Sequence, residues 1–178
     1  MKATTVPSLM VQSGDFDVQV QVNNNHHAKI VESQTPFRAV LKNDFNGYDI
    51  QTRQDSDDIV LPGYIEKIQS FYDGTPKVVT FQIQKYHWQT GDIYEYSRPY
   101  HKKKCSMFSS ILCPENGVNI FSRKHGSLWE LAPVSVVNEK MCFLVIHGSN
   151  VYTEILADET PQKPSKMNDE MLLPQNMR

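Results

Sequence analysis

Apolar and polar positions alternate over short runs in this chain, the period of a pleated strand with one buried face. Phe16, Val18, Val20 and Val22 point one way and Asp17, Gln19 and Gln21 the other, which predicts a half-buried strand. The strongest run is residues 78–84, rich in β-branched and aromatic side chains, with Val79, Phe81 and Ile83 on one face. It is predicted to continue through Tyr86, His87 and Trp88. Gln89, Thr90, Gly91 and Asp92 then supply turn chemistry, and residues 93–96 return as the second strand of a hairpin.

Other elements follow from the same pattern. Residues 23–27 read as a polar loop, 29–31 as a short strand and 37–41 as another. Residues 51–58 are polar throughout and predict a linker leading into a helix over 61–72. There Leu61, Tyr64, Ile65, Ile68, Phe71 and Tyr72 recur at three- and four-residue spacings. Pro62 suits its first turn, Asp57 and Asp58 its positive end, and residues 73–76 stop it. Residues 106–113 fit a short helix or a strand. Beyond the turn at 114–117, a meander is predicted over 118–122, 128–137 (interrupted at Pro133), 141–147 and 151–156. Pro133 marks its strand as an edge or a bulge, and the doubly apolar run 142–146 marks a central strand. The expectation is an α+β fold, mainly β: an antiparallel sheet or small sandwich with one principal helix. Residues 1–13 form a flexible arm, 14–156 a single domain, and 157–178, with three prolines and neither glycine nor aromatic, a disordered tail.

Charge changes the picture. The chain carries −2 overall, yet residues 98–124 hold six cations against Glu115 alone, a net +5, which leaves −7 for the remainder. One basic segment in a near-neutral protein points to a localised anionic partner. Arg98, His101, Lys102, Lys103, Lys104, Arg123 and Lys124 are the candidate anion or nucleic-acid contacts, with Trp88, Tyr94, Tyr96 and Tyr100 as candidate stacking residues. Single-strand binders combine cations that track phosphates with rings that stack on bases. The same lysines also fit an anionic leaflet or a solvated loop.

Catalytic and metal chemistry find less material. Cys105, Cys113 and Cys142 are an odd set and read as reduced thiols of a cytoplasmic protein. His101, Cys105, Cys113 and His125 have ligand chemistry but no paired zinc spacing, so no metal or cofactor is expected. Cys105 with His87, or Cys142 with His147, forms a thiolate–imidazole pair only if the fold joins them. No glycine-rich phosphate loop or hydrolase elbow occurs. The start lacks a signal-peptide pattern, and no run is long enough to span a bilayer. Tyr152 and Ile155 match a short tyrosine motif but read better as strand.

In size, β-rich architecture and basic loop the chain resembles small viral matrix or accessory proteins, such as those of plant negative-strand RNA viruses. That resemblance implies a non-enzymatic assembly or adaptor protein, cytoplasmic or virion-associated. It would contact RNA, ribonucleoprotein or an anionic membrane surface, and self-associate. Two other classes stay open: a sequence-tolerant single-stranded RNA binder (a silencing suppressor or movement-associated protein), and a small thiol- or zinc-dependent enzyme.

Overall fold

A computed structural model describes residues 5–41, 47–55, 57–87, 89–95, 105–146 and 161–162. In chain order the elements are α1 (Thr5–Met10), β1 (Gln19–Gln21), α2 (Asn25–Gln34), β2 (Arg38–Val40), β3 (Ile50–Thr52) and β4 (Ile59–Val60). Then come α3 (Tyr64–Gln69), β5 (Lys77–His87), β6 (Ile93–Glu95), β7 (Ser109–Leu112), a 3-10 helix (His125–Glu130), β8 (Val134–Ile146) and β9 (Pro161–Gln162). The architecture is α+β and mostly strand, as the alternation predicts.

The sheet is organised around β5. Its first half pairs antiparallel with β7, and Gln84, Lys85 and Tyr86 pair with β6 in the predicted hairpin. Along its other edge β5 runs parallel to β8 over ten residue pairs, Val78 opposite Val134 and His87 opposite Ile146. β3 extends the sheet beyond β7, β9 beyond β6, and β4 beyond β8. The predicted meander therefore differs at its centre. A parallel pair needs a long crossover, here residues 88–133, and alternation along a strand carries no information about direction.

Both faces of the sheet are covered. Val79, Phe81 and Ile83 of β5, Leu112 of β7, and Cys142 and Leu144 of β8 pack under Tyr64 and Ile68 of α3. The opposite face holds two clusters at the two ends of β5. Val78, Cys105, Ile111, Ile120 and Leu128 form one, and Ile59, Ile93, Phe143 and Val145 form the other. Between them Thr80 is buried as a hydrogen-bond hub: its Oγ1 accepts from the Ser106 amide at 2.8 Å and from the Ser109 hydroxyl at 2.8 Å. The 142–146 run is a central strand, buried along its length between β4 and β5.

Several local expectations are corrected. Residues 29–31 are helical, not extended: the Asn24 side chain accepts from the His27 amide at 2.9 Å and opens α2. The helix expected over 61–72 is confined to Tyr64–Gln69, because Gly63 adopts a left-handed φ of 82° and separates Pro62 from it. Residues 51–58 are not a plain linker, since β3 begins at Ile50 and Gln51 and Asp58 are buried. Residues 118–122 form turns, with the Asn119 side chain accepting from the Phe121 amide at 2.9 Å. The predicted break at 138–140 is a shift of register within one continuous β8, beside Phe81, Gln82 and Ile83.

The arm expected to be loose is tied down where it is described. The Gln12 side chain donates to the Leu61 carbonyl at 2.9 Å and accepts from the Ile65 amide at 3.3 Å. Leu9 packs against the α3 face of the core. Residues 151–156 and 163–178, including Tyr152 and most of the predicted tail, lie outside the described residues. No helix among the described residues is long and apolar enough to cross a membrane.

Candidate functional site

Trp88, Tyr96, Arg98, Tyr100, His101, Lys102, Lys103 and Lys104 lie outside the described residues. Tyr94, Arg123 and Lys124 are described, and the fold does not gather them. Tyr94 lies opposite Lys85, on the α3 face of the sheet near the end of β5. Arg123 and Lys124 belong to the turn that follows Ile120, which packs on Val78 on the other face near the start of β5. From Val78 to Lys85 is about 23 Å along an extended strand. Tyr94 is therefore not part of the surface that carries Arg123 and Lys124.

That surface is built from the turn at 119–130 and the exit of β3. Ile120 and Leu128 are buried and act as two anchors. The neighbour following each anchor faces outward, so Phe121 and Trp129 stand 40% and 37% exposed. Gln51 fixes the first anchor, its Oε1 accepting from the Ile120 amide at 3.1 Å. Two residues on, Arg53 lies over the Phe121 ring, Cζ 4.8 Å from the centroid. Arg123 Nε donates to Glu130 Oε2 at 3.0 Å and its Nη1 to the Ser122 carbonyl at 2.9 Å. This ties both ends of the turn together. Lys124 is exposed, and no ion pair involves it among the described residues.

His125 sits beneath this surface. Its Nε2 is 4.0 Å from Asp55 Oδ1 and finds no hydrogen-bond partner among the described residues. Burial first, and the Arg53 charge second, hold its pKa below the ordinary histidine value, so the ring is neutral at pH 7. Arg53 also approaches Asp55 at 3.9 Å. The cluster therefore offers three cations, Arg53, Arg123 and Lys124, against Asp55 and Glu130.

Cys105 connects the cluster to the lysine run. It is buried with Ile120 and Leu128, and the backbone N–H of Trp129 faces its sulfur. Lys102, Lys103 and Lys104 immediately precede it in the sequence.

Of the other candidate constellations, the pair of Cys105 with His87 is not assembled. His87 is at the end of β5, its Nδ1 near the Thr90 amide at 3.3 Å, whereas Cys105 clusters with Val78 at the beginning. Cys142 is fully buried beside Tyr64, and burial drives its thiol pKa well up, which disfavours the thiolate; His147, its predicted partner, is outside the described residues. No three metal-capable side chains converge among the described residues.

Sequence reasoning missed Arg53, Phe121 and Trp129. The available signal was the pair of apolar doublets, Ile120-Phe121 and Leu128-Trp129, on either side of a turn-forming stretch. In a turn such a doublet buries one member and exposes the other. No protein-family model matches the chain, and no curated protein or solved structure matches it at significance.

Proposed function

We propose that this protein is a non-enzymatic assembly or adaptor protein that holds RNA or a ribonucleoprotein on a cationic surface. The surface comprises Lys102, Lys103 and Lys104 together with Arg53, Arg123 and Lys124. The observation that carries the reading is the packing of Cys105, the residue after Lys104 in sequence, against Ile120 and Leu128 of the turn that bears Arg123 and Lys124. On this reading the two stretches of positive charge, about twenty residues apart in sequence, act on one partner, and their fields add. Size, β-rich architecture and one basic segment support the viral matrix or accessory class, with a cytoplasmic setting and self-association.

The test compares wild type with K102E/K103E/K104E for retention on single-stranded RNA and on phosphatidylserine vesicles. Loss of RNA retention in the variant supports the reading. Unchanged retention on both sinks it, and retention on vesicles alone moves the partner to a membrane.

A further inference from the structure

We infer that His125 is a proton-controlled latch beneath the turn at 119–130: on taking a proton at Nε2 it pairs with Asp55, releases Arg53 and tightens the hold of this surface on RNA. The inference rests on the anion-binding reading above and adds its regulation.

The geometry is that of an ion pair one proton short. His125 Nε2 is closed off from solvent and has no hydrogen-bond partner among the described residues. Asp55 Oδ1 stands 4.0 Å from it, and Arg53 Nη2 stands 3.9 Å from that same oxygen. Both separations exceed a hydrogen bond, so the oxygen lies between the two groups and is held by neither. An unprotonated imidazole nitrogen turns a lone pair towards the carboxylate, whereas a protonated one offers it a donor and a full positive charge.

The parts also differ in their freedom to move. The His125 side chain is only 18% exposed, and the Asp55 side chain is 45% exposed. The Asp55 carbonyl accepts from the Asp58 amide at 3.3 Å, and the Gln54 side chain donates to the Asp58 carbonyl at 3.2 Å. The backbone is thus anchored on either side, and closing the pair takes a rotation of the Asp55 side chain alone.

Among the described residues, the charges acting on the ring are Arg53 and Asp55, both just beyond β3, with opposite effects; the Met107 backbone carbonyl faces it from the segment before β7. Arg123, Lys124 and Glu130 lie on its own turn, where Arg123 and Glu130 pair with each other, and the thiol of Cys105 packs with Leu128 of that turn. At pH 7 burial and Arg53 keep the ring neutral and the latch open. Acidification closes it. Asp55 turns to the imidazolium, Arg53 loses its counter-ion, and the surface gains a fourth cation against the same two carboxylates. In the free protein this proton costs stability as pH falls below the unfolded histidine value, because the folded ring holds it less tightly. Bound RNA offsets that cost, and by linkage the proton favours RNA to the same degree.

The experiment has two readouts on the full chain. Proton–carbon NMR follows the His125 ring against pH in wild type, D55N and R53Q. Wild type should titrate below the ordinary histidine value, D55N at lower pH still, and R53Q at higher pH. Binding of a 12-nucleotide oligouridine is then measured at pH 5.5 and pH 7.5 at one ionic strength. The gain in affinity on acidification should be at least about fivefold larger in wild type than in H125N, which keeps every other histidine. D55N should already bind more tightly than wild type at pH 7.5, a comparison that serves equally if H125N does not fold.

A ring that titrates at the same pH in wild type, D55N and R53Q overturns the latch. So does an equal acid gain in wild type and H125N, or D55N binding no tighter than wild type at pH 7.5. Each of these leaves the anion-binding reading standing. Absence of oligouridine binding at both pH values overturns the two together.

Discussion

The backbone N–H of Trp129 faces the sulfur of Cys105, the residue that follows Lys104. Burial raises the Cys105 thiol to about 11, so this cysteine acts as an apolar pin rather than a nucleophile. Cys142 is more deeply buried, whereas Cys113 is partly exposed. At pH 8 a thiol reagent such as dithionitrobenzoate should therefore label one cysteine quickly in the native protein and all three in urea. C113S should abolish the fast phase. Fast labelling of Cys105 would contradict its anchoring position.

Asp58 makes stability depend on pH in the direction opposite to most carboxylates. Its Oδ1 accepts from the Val145 amide at 3.3 Å, and burial, reinforced by Asp57 and Asp55, lifts its pKa from 3.8 to about 8. The folded state thus holds this proton more tightly than the unfolded chain. The associated stability is complete below about 3.8, falls as pH rises towards about 8, and is level above. D58N retains the accepting oxygen and never ionises. Its advantage over wild type in urea unfolding should grow by about 2–4 kcal/mol between pH 5 and pH 8. Parallel curves for the two proteins would show that Asp58 is ionised throughout.

Tyr64 and Phe81 join α3 to the central strand, their ring centroids 4.9 Å apart and both side chains buried. F81A should destabilise the domain by about 3–5 kcal/mol through lost burial and the cavity left behind. A shift of the urea midpoint corresponding to less than 1 kcal/mol would mean that α3 is not essential to the core.

Stability should be uneven along the chain. α2 has no buried residue, and β1 and β2 pair only with each other among the described strands. The long parallel pair β5–β8 is flanked on both sides. Amides of α2 are expected to exchange with deuterium at least about 100-fold faster than those of residues 79–83 and 142–145. Equal protection would indicate that residues 19–40 belong to the main cooperative unit.

Where one face of a strand is buried, the sequence was legible. Val79, Phe81 and Ile83 announced the core face of β5, and the apolar run at 142–146 announced a strand covered on both sides. The hairpin turn was equally plain from Gly91 and Asp92. Long-range pairing was not legible, because the parallel register of Val78 with Val134 depends on a crossover whose course no local pattern specifies. Ile30 and Val31 misled because β-branched pairs favour strands, although the Asn24 cap was present in the sequence. Asp57 and Asp58 resembled helix-start charges, but Gly63 moves the helix away and Asp58 is instead buried against Val145. At the site, charge identified Arg123 and Lys124, whereas Arg53 came into view only when β3 set it over Phe121.

The central claim is that the lysine run and the turn at 119–130 act as one anion-binding surface. It is tested most directly by the salt dependence of single-stranded RNA binding for wild type, K102E/K103E/K104E, R123E/K124E and the combined variant. The slope of log K against log salt counts neutralised phosphates, at about 0.7 per contact on a single strand. Both partial variants are predicted to show a shallower slope than wild type, and the combined variant the shallowest. A wild-type slope retained in R123E/K124E would contradict the account, since the turn would then lie outside the RNA-binding surface.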